Sequence, residues 1–115
     1  MAIPSSTFVF AESLDPYDFD HFTLKTTGLL DTGEDVAKWQ VDILSESLLF
    51  GLKLGTGQFG SYLLNKEITI WLEIDADMQG NPAFFNGVTL PMVLSITTST
   101  GRRRQRTFAL RVIEK

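Results

Sequence analysis

Three stretches of this sequence carry residue types and spacings suited to chemistry. Gly55-Thr-Gly57-Gln-Phe-Gly60 satisfies G-x-G-x-x-G and follows an apolar run, Leu48 to Leu54. In a dinucleotide site such glycines let the backbone close on a pyrophosphate seated at a helix N-terminus, inside a βαβ unit. Only Ser61 to Glu67 separate Gly60 from the next strand-like run at Ile68, too few residues for a crossover helix. The stretch is therefore read as an inter-strand loop that uses glycine for positive φ. Asp75-Ala-Asp77-Met-Gln79-Gly80 opens like a calcium loop, with carboxylates at alternate positions that could converge on a hard cation. Asn86 stands where an EF-hand would place its closing glutamate, and no flanking helices are visible, so an acidic turn is expected instead. Asp18 and Asp20 also alternate, and Asp20 adjoins the single histidine, His21. Paired carboxylates can run acid–base chemistry, but adjacency in sequence is not geometry, and no G-x-S-x-G is present. The expectation is a non-enzyme with no catalytic residues, no metal site and no cofactor.

Binding chemistry has more to work with. Trp71 falls on the polar side of its alternating run, and Phe84-Phe85 lie in an expected loop, so all three are candidate contact residues. Exposed rings can stack on sugars, which makes a carbohydrate-binding module one alternative. Charge is strongly segregated. Residues 1–100 hold thirteen acids against four lysines, whereas 101–115 hold five arginines and Lys115 against Glu114. Arg102, Arg103, Arg104 and Arg106 form a tight basic cluster, and a chain acidic at one end and basic at the other can stack on copies of itself. The formal net charge of −4 argues against a nucleic-acid partner.

These residues need positioning, and two-residue periodicity shows how. Alternation runs through Val36–Ile43, Leu48–Leu54, Ile68–Ile74, Val88–Ile96 and Phe108–Val112, with a shorter run at Phe22–Leu24. Such alternation marks half-buried antiparallel strands. Turn signals separate the runs, among them Thr32-Gly33, Asn86-Gly87 and Thr100-Gly101. Pro91 lacks a ladder donor and places its stretch at an edge or a bulge. Ser95–Thr98, Gly101 and Thr107–Ile113 read as a terminal hairpin, and Gly60–Lys66 as the one stretch able to hold a helical turn. The expected fold is an all-β, Ig-like antiparallel β-sandwich of about six to eight short strands over residues 14–115, preceded by an extended arm over 1–13. With 115 residues, one domain with a real core is expected. No cysteine is present, which excludes disulfides and Cys-based zinc sites. The start, MAIPSSTFVFAESLDPY, has no basic n-region and no long apolar run, so neither a signal peptide nor a membrane span is expected.

The stretch Leu94-Ser-Ile-Thr-Thr-Ser-Thr-Gly101-Arg, followed by Arg106-Thr-Phe-Ala-Leu-Arg-Val-Ile-Glu-Lys115, resembles the C-terminal hairpin of small tailed-bacteriophage structural proteins of the fibre-tail adaptor, or Ig-like tail protein, type. Asp15-Pro16, Gly28-Leu-Leu-Asp31-Thr-Gly33-Glu34, Ala37-Lys-Trp39-Gln-Val41 and Ile68–Leu72 are similar to earlier patches of the same family. The insert from Glu73 to Gly87 and the Gly55–Gly60 loop are longer than the family pattern. The resemblance implies a virion protein made and assembled in the host cytoplasm, present in several copies at a tail, neck or fibre attachment. Its partners would be other virion proteins and copies of itself, not a small-molecule substrate. A capsid decoration protein is the alternative within virions. On this reading Arg102–Arg106 of one copy meet acids within Asp15–Asp35 of another, with Trp71, Phe84 and Phe85 as apolar anchors.

Overall fold

The alternating runs become strands of two facing sheets. The computed structural model describes residues 7–115. Its strands are β1 (Phe8–Val9), β2 (Phe19–Lys25), β3 (Val36–Ile43), β4 (Leu52–Leu54), β5 (Tyr62–Leu64), β6 (Glu67–Ile74), β7 (Val88–Thr98) and β8 (Arg103–Val112), with one short α-helix, α1 (Ser45–Leu48). Turns of 3-10 helix lie at Thr27–Leu29, Gly57–Phe59, Ala76–Met78 and Pro82–Phe85, so helical turns form at places other than the one stretch expected to hold one. One sheet has the order β1-β8-β7-β3, and the other β2-β6-β4 with β5 also paired to β6. Apart from β1 and the extra short strand β5, β3-β7-β8 facing β2-β6-β4 is an Ig-like strand order. Period-two residues from both inner faces fill the core: Phe22 and Leu24 of β2, Ile68, Ile70, Leu72 and Ile74 of β6, Leu90–Ile96 of β7 and Phe108–Val112 of β8. Trp39 and Val41 of β3 are half-buried and pack against them.

Five details differ from the sequence expectation or refine it. The sheet is not purely antiparallel, because β1 pairs parallel with β8, Phe8 opposite Phe108 and Val9 opposite Ala109. The segment read as an arm is thus joined to the sandwich over its described part, with Phe10 buried and its N–H bonded to the Ala109 carbonyl at 3.1 Å. Residues 1–6 of that expected arm lie outside the described residues. Leu48–Leu54 is not one strand: its first residue closes α1, and only Leu52–Leu54 pairs with β6. The helical turn expected within Gly60–Lys66 is instead β5 and a two-residue loop, Asn65-Lys66, with φ of 51° and 64°. Positive φ at both loop residues matches the twist of the flanking strands. The Lys66 carbonyl there accepts two bonds from buried Thr26, from N–H at 3.1 Å and Oγ1 at 2.7 Å, which holds the turn. The terminal hairpin is longer than expected, 11 residues of β7 against 10 of β8.

Pro91 shows how the crossover between sheets is made. It lies in β7, a strand with neighbours on both sides, yet the β3 pairing stops at Met92. Its partner Ala109 turns its carbonyl toward β1, so Pro91 and Ala109 form a non-hydrogen-bonded pair. The missing N–H therefore faces the side that β3 has just left. There α1 takes over, with the buried Ser47 hydroxyl donating to the Pro91 carbonyl at 2.8 Å. The chain is thereby turned from the first sheet into β4 of the second.

Candidate functional site

Strand direction sorts the charged groups to two ends. At one end lie the loops 26–35, the Asn65-Lys66 turn and the β7–β8 turn, tied together by Thr26–Lys66, Lys66–Asp35 (3.8 Å) and Ser99–Asp35 bonds. This end carries Lys25, Lys38, Lys66, Arg102, Arg103 and Arg104 against Asp31, Glu34, Asp35 and Glu67, with Arg106 farther in, opposite Leu94 at mid-strand. At the other end lie the 11–18 segment, α1, the 75–87 insert and the C-terminus, tied by Leu14–Ile113, Gly51–Asp75 and Phe84–Glu114 backbone bonds. It carries Glu12, Asp15, Asp18, Asp20, Glu46, Glu73, Asp75, Asp77 and Glu114 against Lys53, Arg111 and Lys115, while Asp42 lies at mid-strand opposite Val93. The sequence-level asymmetry is thus carried into space, but with different members.

Arg102 does not join a free basic cluster. Its guanidinium grips the buried carboxylate of Glu34 with Nε at 3.2 Å and Nη2 at 2.5 Å, and reaches Asp31 at 3.4 Å. Glu34 also accepts the Thr100 hydroxyl and the Asp31 N–H, the latter at 2.7 Å. Arg102 above all, then Thr100 and the Asp31 amide, hold the Glu34 carboxyl far below the usual carboxylate range against the opposing cost of burial. Glu34 in turn raises Arg102. The expectation that Arg102 meets acids of another copy is therefore corrected: its acids are on its own chain, because the 31–34 turn and the β7–β8 turn abut. Gly33, with φ of 84°, lets that turn bring Glu34 back onto Asp31. The same correction removes Asp31 and Glu34 as partner acids for a second copy, since they sit beside the arginines. Arg103 and Arg106 are exposed, and Arg103 and half-buried Arg104 line a cleft of about 600 Å³ with Lys38 and Trp39.

The aromatic candidates divide as sharply. Phe84 and Phe85 share a 3-10 turn, Pro82–Phe85, whose first N–H group is capped by Asn81 at 2.9 Å. Successive residues of such a turn point about 120° apart. Phe84 is fully buried against Phe50, and Phe85 is 63% exposed. Phe84 is therefore corrected from contact anchor to core plug. Trp71 stands on the outer face of β6, half-buried, with ring centroids of Phe59, His21 and Phe19 at 4.9, 5.0 and 5.1 Å. Its faces are occupied by neighbours of its own chain. The glycine motif serves this packing: a Cβ on Gly55 would lie 2.9 Å from the Trp71 Cβ and 2.7 Å from the Phe59 carbonyl. Asp75 pairs with Lys53 at 3.2 Å, and no group of three metal-ligating side chains converges among the described residues.

Several interacting residues escaped the sequence reading. Glu34 was visible only as the end of Asp31-Thr-Gly33-Glu34, a spacing of three that brings a side-chain acceptor back to a backbone N–H. Tyr17, 63% exposed, tops a turn closed by Asp15, which accepts the Tyr17 N–H at 2.8 Å and the Lys115 N–H at 2.9 Å. Those two backbone donors, Lys115 first, lower the Asp15 carboxyl from its ordinary value. A groove between β2 and the β1–β8 edge, lined by Phe8, Leu29 and Phe108, drew on residues far apart in the chain.

The chain matches no family model and no curated protein. The fold is an all-β sandwich of eight strands in two sheets.

Proposed function

We propose that this protein is a non-enzymatic structural module of a tailed-bacteriophage virion, acting in several copies as an adaptor at a tail, neck or fibre attachment. The observation that carries the reading is the separation of acidic and basic groups to opposite ends of the strands, with unspent groups at both. Arg103 and Arg104 remain at one end and Asp18, Tyr17 and Phe85 at the other, while Asp20 is held by His21 at 3.1 Å. Such a module has a direction, as a repeated part of a particle needs. The sandwich and the likeness of the 94–115 hairpin to tail proteins support the same reading. The carbohydrate reading has less support, since Trp71 spends its faces on Phe19, His21 and Phe59.

Immunogold labelling or cryo-electron microscopy of particles from the source phage tests this. The expected result is density for several copies at the tail, neck or fibre base. Density over the head lattice would favour the decoration alternative, and absence from purified particles would defeat both.

A further inference from the structure

The two ends differ in shape as well as charge, and the shapes are complementary. Where β2 and the β1–β8 edge face each other, the sandwich leaves a groove of about 580 Å³. Its floor is carbon, from Phe8, Leu24, Leu29 and Phe108. Two cations, Lys25 and Arg106, stand on its rim, and neither has an acidic partner among the described residues. The matching feature is the turn Asp15–Asp18 at the acidic end. Tyr17 projects from it 63% exposed beside Asp18, with Asp20 close in sequence. The Asp20 Oδ1 is already on the His21 N–H and Nδ1 at 2.8 and 3.1 Å, leaving the other carboxylate oxygen outward. The turn is already shaped, with the Asp18 N–H on the Asp15 carbonyl at 2.9 Å and the Asp15 carboxylate on two further N–H groups. A pre-shaped turn loses little freedom on docking, and a tyrosine has only two side-chain torsions to fix.

Resting on the multi-copy reading above, we propose that the groove is the docking site for a second copy of this chain, which inserts its Tyr17 turn there. The turn cannot reach its own groove. It precedes β2 at Phe19, whereas the groove lies at Leu24 and Lys25, so the strand itself holds the two about 20 Å apart. A two-fold contact of either end with itself would set acid against acid or base against base. The contact is therefore turn into groove, made reciprocally in a two-fold pair or repeated from copy to copy as a ring or a stack. Tyr17 supplies the buried anchor, and Lys25 and Arg106 fix register against Asp18 and Asp20.

Sedimentation velocity across a concentration series at low salt reads this directly. The wild type is expected to gain mass with concentration, and to lose it as salt rises. Lys25→Glu with Arg106→Glu, and separately Asp18→Lys with Asp20→Lys, each weaken association about tenfold or more. All four side chains are exposed and give up only surface bonds, Asp20 to His21 and Arg106 to the Gln105 carbonyl, so both double variants stay folded with melting temperatures close to the wild type. Mixed together, the two reversed proteins associate again, because each supplies the sign the other has lost at both turn and groove. Tyr17→Ser weakens association while leaving its salt dependence. A wild type that stays monomeric, association indifferent to the reversals, or a mixture without rescue each overturns the contact. These are solution outcomes. Absence from particles overturns the virion reading instead and leaves the contact standing on the sedimentation data.

Discussion

The two ends of the sandwich are closed in different ways. The basic end is closed by side chains: Arg102 spans from the β7–β8 turn to Glu34 and Asp31 across the gap between loops. The acidic end is closed by backbone bonds and an apolar plug, Phe84, packed on Phe50 and tied to the C-terminal segment where its carbonyl accepts the Glu114 N–H. Each end takes one member of a run of like residues into the fold and leaves the others outside. Arg102 is committed to Glu34 while Arg103 stays exposed, and Phe84 is committed while Phe85 stays exposed. The difference teaches that a charge run or an aromatic pair is not one unit. What remains for partners is what the fold did not use.

The largest effect should come from the plug. Phe84→Ala empties a fully buried ring site packed against Phe50 and is expected to cost about 3–5 kcal/mol in urea unfolding. Phe85→Ala, its exposed neighbour, should stay within about 0.5 kcal/mol. Similar losses for both would mean that the two rings are equivalent, and the contrast drawn at this end would fail.

The ion pair should come next, and its signature is in pH. The folded-state pKa of Glu34 is depressed below the ordinary glutamate value of 4.5. Its contribution is therefore fully present above that value and is lost as pH falls below it, toward the depressed one. Glu34→Gln should lower the melting temperature at neutral pH, with the gap to wild type narrowing in acid. Arg102→Leu should do more harm at neutral pH, because it strands the buried carboxylate, while Glu34→Gln leaves a half-exposed cation that water can serve. Arg103→Ala should do neither. A gap that is flat from neutral pH into acid would show that Glu34 acts through packing and not charge.

The fold was legible where alternation was long. Val36–Ile43, Ile68–Ile74 and Val88–Ile96 each present one apolar face, and a strand in a sandwich needs little more. The Leu48–Leu54 run misled because three consecutive apolar residues fit a turn as well as a strand. The decision lay elsewhere, in Pro91 ending the β3 pairing and offering its carbonyl to Ser47. The parallel β1 had no local mark, since Phe8 and Val9 find their partners a hundred residues on. The interaction surfaces were half legible. Composition marked the arginines and the rings, but Arg102 and Phe84 were taken inward by partners at Glu34 and Phe50, which no local window holds. The groove at Phe8, Leu29 and Phe108 exists only once the two sheets face each other.

The smallest effect expected is also the one that separates the two kinds of closure most cleanly. Asp15 is the acidic end's counterpart of Glu34, a carboxylate held below its ordinary value, but by the N–H groups of Lys115 and Tyr17 and at the surface. Asp15→Ala removes acceptors that water can partly replace, so its cost should be about 1 kcal/mol or less. Because the folded-state pKa is again lowered, the loss is present above the ordinary aspartate value of 3.8 and fades below it. Glu34 is buried and meets its charge partner directly, whereas Asp15 is held by peptide dipoles, so chelation of the turn and not ion pairing is at stake. Amide exchange distinguishes them. Asp15→Ala should speed exchange at Tyr17 and Lys115 alone, while Glu34→Gln should speed it across both the 31–34 turn and the β7–β8 turn, because one carboxylate joins them. Exchange confined to a single turn in both variants would show that Arg102 merely decorates the basic end and does not close it.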